Sequence, residues 1–136
     1  MDEDLNEGLT KLATCLADRS ADVLAGVCAA FVSREHLETF LVDLEAMETE
    51  VREDFAEEQI GPHDGFELDY GSTDVDSLRE SGIDLHAEIS DDNFLGWGCV
   101  QLLAEEGEWA LADVWAAVVK ENGQPVIGHL LVESPD

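Results

Sequence analysis

The C-terminal half of the chain contains the sequence FLGWGCVQLLAEEGEWALADVWAAVVKENGQPVIGHLLV, which spans residues 94–132. Three apolar segments, 94–103, 109–120 and 126–132, are separated by the short polar segments Glu105-Glu106-Gly107 and Glu121-Asn122-Gly123-Gln124. Asn-Gly between two apolar runs is a strong signal for a β-hairpin turn. We therefore predict three consecutive antiparallel strands.

The middle segment, 109–120, is also compatible with a helix. Its residues Leu111, Val114, Trp115 and Val118 recur at helical spacing. The valines, the tryptophans and the flanking turns favour a strand instead. We predict a strand here, with a helix as the alternative.

Residues upstream of this region predict further short elements. Phe66, Leu68 and Tyr70 alternate with polar residues, which indicates a strand. A short helix is predicted over 72–81, with Gly82 just past its C-terminus. A second alternating segment, 83–90, predicts a strand with one solvated face, and Asp91-Asp92-Asn93 predicts a turn. The apolar residues of that second segment are Ile83, Leu85, Ala87 and Ile89, and its polar residues are Asp84, His86, Glu88 and Ser90.

The N-terminal half predicts three helices. Leucines at positions 5, 9, 12 and 16 have helical spacing, and Ser20 and Ser33 are candidate N-caps of a short second and a long third helix. The third helix, 33–58, carries the clearest apolar stripe, which consists of Leu37, Phe40, Leu41, Leu44, Met47, Val51 and Phe55. We predict an α+β fold in which three N-terminal helices pack on an antiparallel meander of about four strands. It would form one domain over 1–136, helical over 1–60 and mainly β over 64–134.

The chain is strongly acidic. Its 136 residues include 33 Asp and Glu but 6 Lys and Arg, which gives a formal net charge of −27, and both halves share the excess. An apolar fraction of 45 % distinguishes it from charged disordered chains. So few basic residues exclude a broad positive surface for nucleic acid or anionic lipid.

Compartment and thiol state also follow from the sequence. The N-terminus, Met1-Asp2-Glu3-Asp4, lacks the basic head of a signal peptide, and no apolar run reaches membrane-spanning length. We expect a cytoplasmic protein, located in the host cytoplasm if it is encoded by a phage. Cys15, Cys28 and Cys99 are widely spaced and predict buried free thiols.

The first candidate site is the outer face of the third helix. With the apolar stripe turned inward, carboxylates fall on the opposite face and its flanks, about 5–6 Å apart on adjacent turns. This spacing approaches that of phosphates along a nucleic-acid strand, although an ordinary solvated helix face explains it equally well. The predicted partner-binding residues are Glu35, Glu38, Asp43, Glu45, Glu50, Glu53, Asp54 and Glu57.

Two secondary candidates compete with simpler interpretations. On the predicted 83–90 strand, Asp84, His86 and Glu88 would lie side by side, where His86 could act as a base; a solvated strand face is the simpler interpretation. Trp97, between two glycines that suggest a bulge or a close backbone approach, could line a pocket or simply pack in the core.

Three functions follow from these observations. The first is a non-enzymatic inhibitor whose carboxylates mimic a nucleic-acid backbone and block a basic partner, such as a nuclease, a restriction or CRISPR effector, or a toxin. In composition and size the chain resembles DNA-mimic and nuclease-inhibitor proteins, which are not one family and share no motif.

The second is a halophilic domain whose charge is unrelated to function. The third is a small-molecule binder or enzyme, because the element order resembles that of NTF2-like domains; His86 or Asp113 beside a tryptophan-lined pocket would be its site. We expect no cofactor, no metal and no catalytic residue under the first function, and the sequence leaves a homodimer open.

Overall fold

The fold is α+β, with helices mainly in the N-terminal half and a four-stranded antiparallel sheet. The computed structural model describes residues 2–135. Within them, the elements in chain order are α1 (Asp2–Cys15), α2 (Ala21–Ala25), α3 (Arg34–Asp54), a 3₁₀ turn (Ala56–Glu58), β1 (Gly65–Gly71), α4 (Val75–Glu80), β2 (Phe94–Ala104), β3 (Trp109–Glu121) and β4 (Gln124–Glu133). No helix among these residues is long and apolar enough to cross a membrane.

The sheet is a simple meander in the order β1-β2-β3-β4, with every neighbouring pair antiparallel. The three strands predicted over 94–132 are confirmed, and the ambiguous segment 109–120 lies in β3. Asn122 and Gly123 have φ angles of 52° and 79°, the left-handed conformation that a tight hairpin turn requires. The predicted turn at 105–107 also has positive φ throughout.

Two glycines in β2 allow α1 to lie close to the sheet. A Cβ atom at Gly96 would come within 2.8 Å of Leu5 Cδ2, and one at Gly98 would overlap Leu9. The pairing of β2 with β3 also shifts register between Phe94 and Gly96. The glycines therefore mark a close approach, made by leucine side chains of α1, and lie beside an irregularity in the strand pairing.

The three N-terminal helices are confirmed, although α3 is shorter than predicted. Ser20 and Ser33 are the N-caps of α2 and α3, accepting hydrogen bonds from the N–H groups of Val23 and His36. α3 ends at Asp54 rather than at residue 58. Phe55 leaves the helix and packs on Trp109, with ring centroids 4.9 Å apart.

The strand predicted over 83–90 is wrong, because this segment is a series of turns. Its N–H groups bond locally: Leu85 donates to the Ile83 carbonyl and Ile89 to the His86 carbonyl. Leu85 and Ile89 are buried whereas Ala87 is exposed, so burial repeats every four residues instead of every two. The meander pairs β2 with β1 and β3, and the segment covers a sheet face instead of joining an edge.

Apolar side chains cover both faces of the sheet. The larger core lies between one face and α1, α2 and α3. The smaller core, on the opposite face, is closed by α4 and the 83–90 segment. Cys28 and Cys99 are buried free thiols as predicted, and burial raises the pKa of each to about 12, whereas Cys15 is partly exposed.

Candidate functional site

α3 has one buried and one charged face. Leu37, Phe40 and Leu44 are almost completely buried against the sheet, and Val51 continues this face at the C-terminal end. The helix spans 21 residues, or about 31 Å at 1.5 Å per residue. A stable apolar contact along this length holds the opposite face in one orientation.

All eight carboxylates predicted for the outer face are exposed. Seven belong to α3, and Glu57 lies in the 3₁₀ turn that follows it: Glu35, Glu38, Asp43, Glu45, Glu50, Glu53, Asp54 and Glu57. Among the described residues, Glu38 is the one member of this set with a basic partner within 4 Å, since Arg34 Nε lies 3.3 Å from Glu38 Oε2. We call these eight residues the acidic face.

Four members of the acidic face form two rows. At 100° per residue, Glu38 and Glu45 lie on one side of the helix, and Asp43 and Glu50 on the other. The strip between the rows contains Thr39, Val42, Ala46 and Thr49 in its middle turns and Glu35 and Glu53 towards its ends, all of which are exposed. Val42 is 66 % exposed, the largest value among the exposed large apolar side chains. The outer face therefore carries carboxylates on both sides of a strip whose middle turns are uncharged.

A partly buried ion pair ties α3 to the loop between α1 and α2. Arg19 Nη2 lies 2.9 Å from Glu48 Oε2, and Nη1 lies 2.5 Å from Oε1. The Glu48 side chain is 6 % exposed, so this carboxylate is structural and does not contribute to the acidic face. Arg19 Nη2 also lies 2.9 Å from His63 Nδ1, and burial together with Arg19 lowers the pKa of His63.

The secondary candidates do not form the predicted row. Asp84 and His86 line one cavity, whereas Glu88 does not contribute to its wall. His86 Nδ1 accepts the N–H of Glu88, and its ring stacks on Phe31 with centroids 4.6 Å apart. The predicted arrangement was wrong because it required strand geometry, which places alternate residues on one face.

Trp97 packs in the smaller core. It is 8 % exposed and stacks on Trp115, with ring centroids 5.7 Å apart. Asp113 lines a separate cavity of about 180 Å³ beside Trp115, where its Oδ1 accepts a hydrogen bond from Gln101 Nε2. The simpler interpretation, packing in the core, therefore applies to Trp97.

A histidine-rich cleft was not predicted from the sequence. An open cleft of about 760 Å³ lies between helices and sheet. Its walls come from the loop before α3, α3 itself, α4, the 83–90 segment and β4. Its polar wall includes His36, His86, His129, Arg79 and Asp84. His36, the stretch from Arg79 to His86, and His129 are far apart in the chain, so no sequence spacing indicated that these three parts meet.

Burial lowers the pKa of His36 and of His129 in this cleft. It lowers the pKa of His129 to about 4, an effect reinforced by neighbouring His36 and opposed by Asp84. Burial also lowers the pKa of His36, whose Nε2 accepts the N–H of Leu130 at 3.1 Å. At neutral pH both rings are neutral, so they can donate or accept hydrogen bonds without adding charge.

Comparisons with known proteins identify no relative: no family model matches the chain, and no curated protein or solved structure shows significant similarity to it.

Proposed function

We propose that this protein is a non-enzymatic inhibitor whose acidic face occupies the basic surface of a nucleic-acid-binding protein. The observation that supports this function is the acidic face itself. Seven exposed carboxylates lie on one helix and an eighth on the turn that follows it, and seven of the eight have no basic partner among the described residues.

The physical chemistry of such a surface favours a basic partner. Like charges on adjacent turns destabilise a helix slightly, and a cationic partner would relieve that repulsion. The net charge of −27 also adds long-range attraction, which speeds association and makes it sensitive to salt. Nucleic acid and the acidic face would compete for the same groove.

A matched pair of variants tests this function. The first replaces all eight carboxylates of the acidic face by Gln or Asn. The control makes the same replacement at eight exposed carboxylates elsewhere, so that the net charge changes equally: Asp18, Asp76, Glu80, Asp91, Asp92, Glu106, Glu108 and Glu133.

Both immobilised variants are compared with the native protein for capture of nucleic-acid-binding proteins at low salt, with elution by added DNA. We expect capture by the native and control proteins and its loss in the acidic-face variant. If both variants capture these proteins equally, binding depends on net charge alone, and the acidic face is not a specific binding surface.

Thermal melts in low and in molar KCl separate this function from halophilic adaptation. An inhibitor should fold cooperatively at physiological salt. A halophilic protein should require molar salt, because screening relieves its self-repulsion. Unfolding at physiological salt would therefore support the halophilic alternative.

The histidine-rich cleft favours a second candidate function, the binding of a small molecule. The cleft is large enough for a ligand and has several hydrogen-bonding side chains in its wall. Saturation-transfer NMR with a fragment library would test it. Hits that His129→Gln abolishes would support this function, and an absence of hits would argue against it.

A further inference from the structure

The two edges of the sheet differ in how their backbone groups are satisfied. At the β4 edge, the Ala29 N–H donates to the Ile127 carbonyl at 2.8 Å, and the Ile127 N–H donates to the Val27 carbonyl at 2.9 Å. His36 Nε2 accepts the N–H of Leu130 from the same strand. The segment 27–29 and α3 therefore cover the middle of this edge.

The β1 edge has no such cover. The N–H of Tyr70 bonds to Asp69 Oδ1 at 2.9 Å instead of to β2. In an antiparallel strand, alternate residues direct their backbone groups to the same side, so Phe66 and Leu68 also present theirs away from β2. Across residues 2–135, no backbone hydrogen bond from outside the sheet reaches residues 66–70.

Exposed side chains on β1 offer further contacts beside the open backbone groups of this edge. Phe66 and Tyr70 are 41 % and 48 % exposed, and the Tyr70 hydroxyl donates to Asn6 Oδ1 on α1. Glu67 and Asp69 are exposed and alternate with them, so they lie on the opposite face of the strand. The edge therefore presents aromatic groups on one face and carboxylates on the other.

We propose that the outer edge of β1 is a docking site for a β-strand of a basic protein, which adds to the sheet as a fifth strand. The backbone groups of Phe66 and Leu68 would pair with the incoming strand, as in other cases of β-strand addition. Apolar side chains of that strand would contact Phe66 and Tyr70. Its alternate Lys or Arg side chains would lie beside Glu67 and Asp69.

Charge argues against a second copy of this chain as the occupant. An antiparallel pair of β1 strands centred on Leu68 would place Glu67 of each copy opposite Asp69 of the other. A parallel, in-register pair would bring identical carboxylates together. Like charges across a strand pair destabilise it, whereas a basic strand would neutralise them.

The first test measures amide exchange by NMR with a fluorescein-labelled heptapeptide that alternates lysine with valine. In the free protein, the amides of Phe66 and Leu68 should exchange rapidly and those of Glu67 and Asp69 slowly. Saturating peptide should slow the exchange of Phe66 and Leu68 at least about tenfold. Unchanged exchange at both positions would overturn the proposal.

Peptide controls separate strand pairing from simple charge attraction. The same peptide N-methylated at alternate residues retains its charge but loses the donors along one edge. Fluorescence anisotropy should show binding weakened by about tenfold or more, because several backbone hydrogen bonds are lost. Equal affinity for both peptides would contradict strand addition.

Phe66→Pro and Phe66→Ala form the matched protein variants. Both remove the aromatic ring, but only proline also removes the outward N–H, and proline is tolerated on edge strands. Phe66→Pro should bind the unmodified peptide about three- to tenfold more weakly than Phe66→Ala. Slow exchange at Asp69 in both variants would confirm that β1 has folded, and equal binding would overturn the proposal.

Analytical ultracentrifugation provides the last test. If the native protein is a dimer and Phe66→Pro dissociates it, the strand that docks on β1 comes from a second copy of this chain, and the proposal of a basic partner is overturned.

The proposal does not rest on the acidic face. The acidic-face variant and its charge-matched control should therefore bind the peptide equally, so that either proposal can fail alone.

Discussion

The inner and outer faces of α3 share one helix but have opposite physical roles. On the inner face, Leu37, Phe40 and Leu44 are buried, and the single buried carboxylate, Glu48, is paired with Arg19. On the outer face, the carboxylates are exposed and Val42 contacts solvent. On this helix, the buried carboxylate is paired and supports the fold, whereas the exposed carboxylates face solvent.

The largest expected difference between the faces is in apolar truncation. Leu44→Ala should reduce the free energy of unfolding by about 3 kcal/mol, because it removes a fully buried side chain and leaves a cavity. Val42→Ala should change it by less than about 0.5 kcal/mol, since Val42 is mostly exposed. Urea denaturation followed by circular dichroism measures both, and similar losses would refute the assignment of the two faces.

Charge removal should show the next largest contrast. Glu48→Gln should destabilise the protein by about 2 kcal/mol, because Arg19 would lose the carboxylate that neutralises it in a partly buried site. Glu45→Gln, on the outer face, serves as the control and should have little effect. If both variants melt at the native temperature, the Arg19–Glu48 pair contributes nothing to the fold.

His129 of β4, whose ring contacts that of His36 at the N-terminal end of α3, should make stability depend on pH. Its pKa in the folded protein is about 4, whereas an unfolded histidine has a pKa of about 6.5. The unfolded chain therefore takes up this proton first, so the contribution of His129 to stability is complete above about pH 6.5 and is lost as the pH falls towards 4.

Urea denaturation at several pH values tests this prediction. His129→Gln should reduce the dependence of unfolding free energy on pH between about 6.5 and 5. His86→Gln alters an exposed histidine of the same cleft and provides the control. An unchanged slope in His129→Gln would show that His129 does not control this dependence.

The smallest expected effect is relief of repulsion on the outer face. Glu50 lies three and four residues before Glu53 and Asp54, so the three carboxylates are neighbours on the helix surface. Glu50→Gln should raise the free energy of unfolding by about 0.3 kcal/mol at low salt. The gain should disappear in molar KCl, where screening removes the repulsion. A gain that persists at high salt would indicate a cause other than charge.

Much of this architecture was predictable because local signals agreed with the tertiary packing. The turn residues Asn122 and Gly123 adopt positive φ, and the extensive burial of the adjoining strands follows from their nearly continuous apolar sequences. The segment 83–90 shows where this reasoning fails. Its alternation is equally compatible with turns that bury Leu85 and Ile89, and only the availability of a strand partner distinguishes the two.

The candidate sites divide in the same way. The exposure of the acidic face follows from the amino-acid sequence alone, because one strong apolar stripe orients a helix and its opposite face must then meet solvent. The three-dimensional structure was needed to show that His36, Arg79 and His129 line one cleft, and that β4 is covered while β1 is open. Those features depend on contacts between residues far apart in the chain, and no local pattern records which distant segments come together.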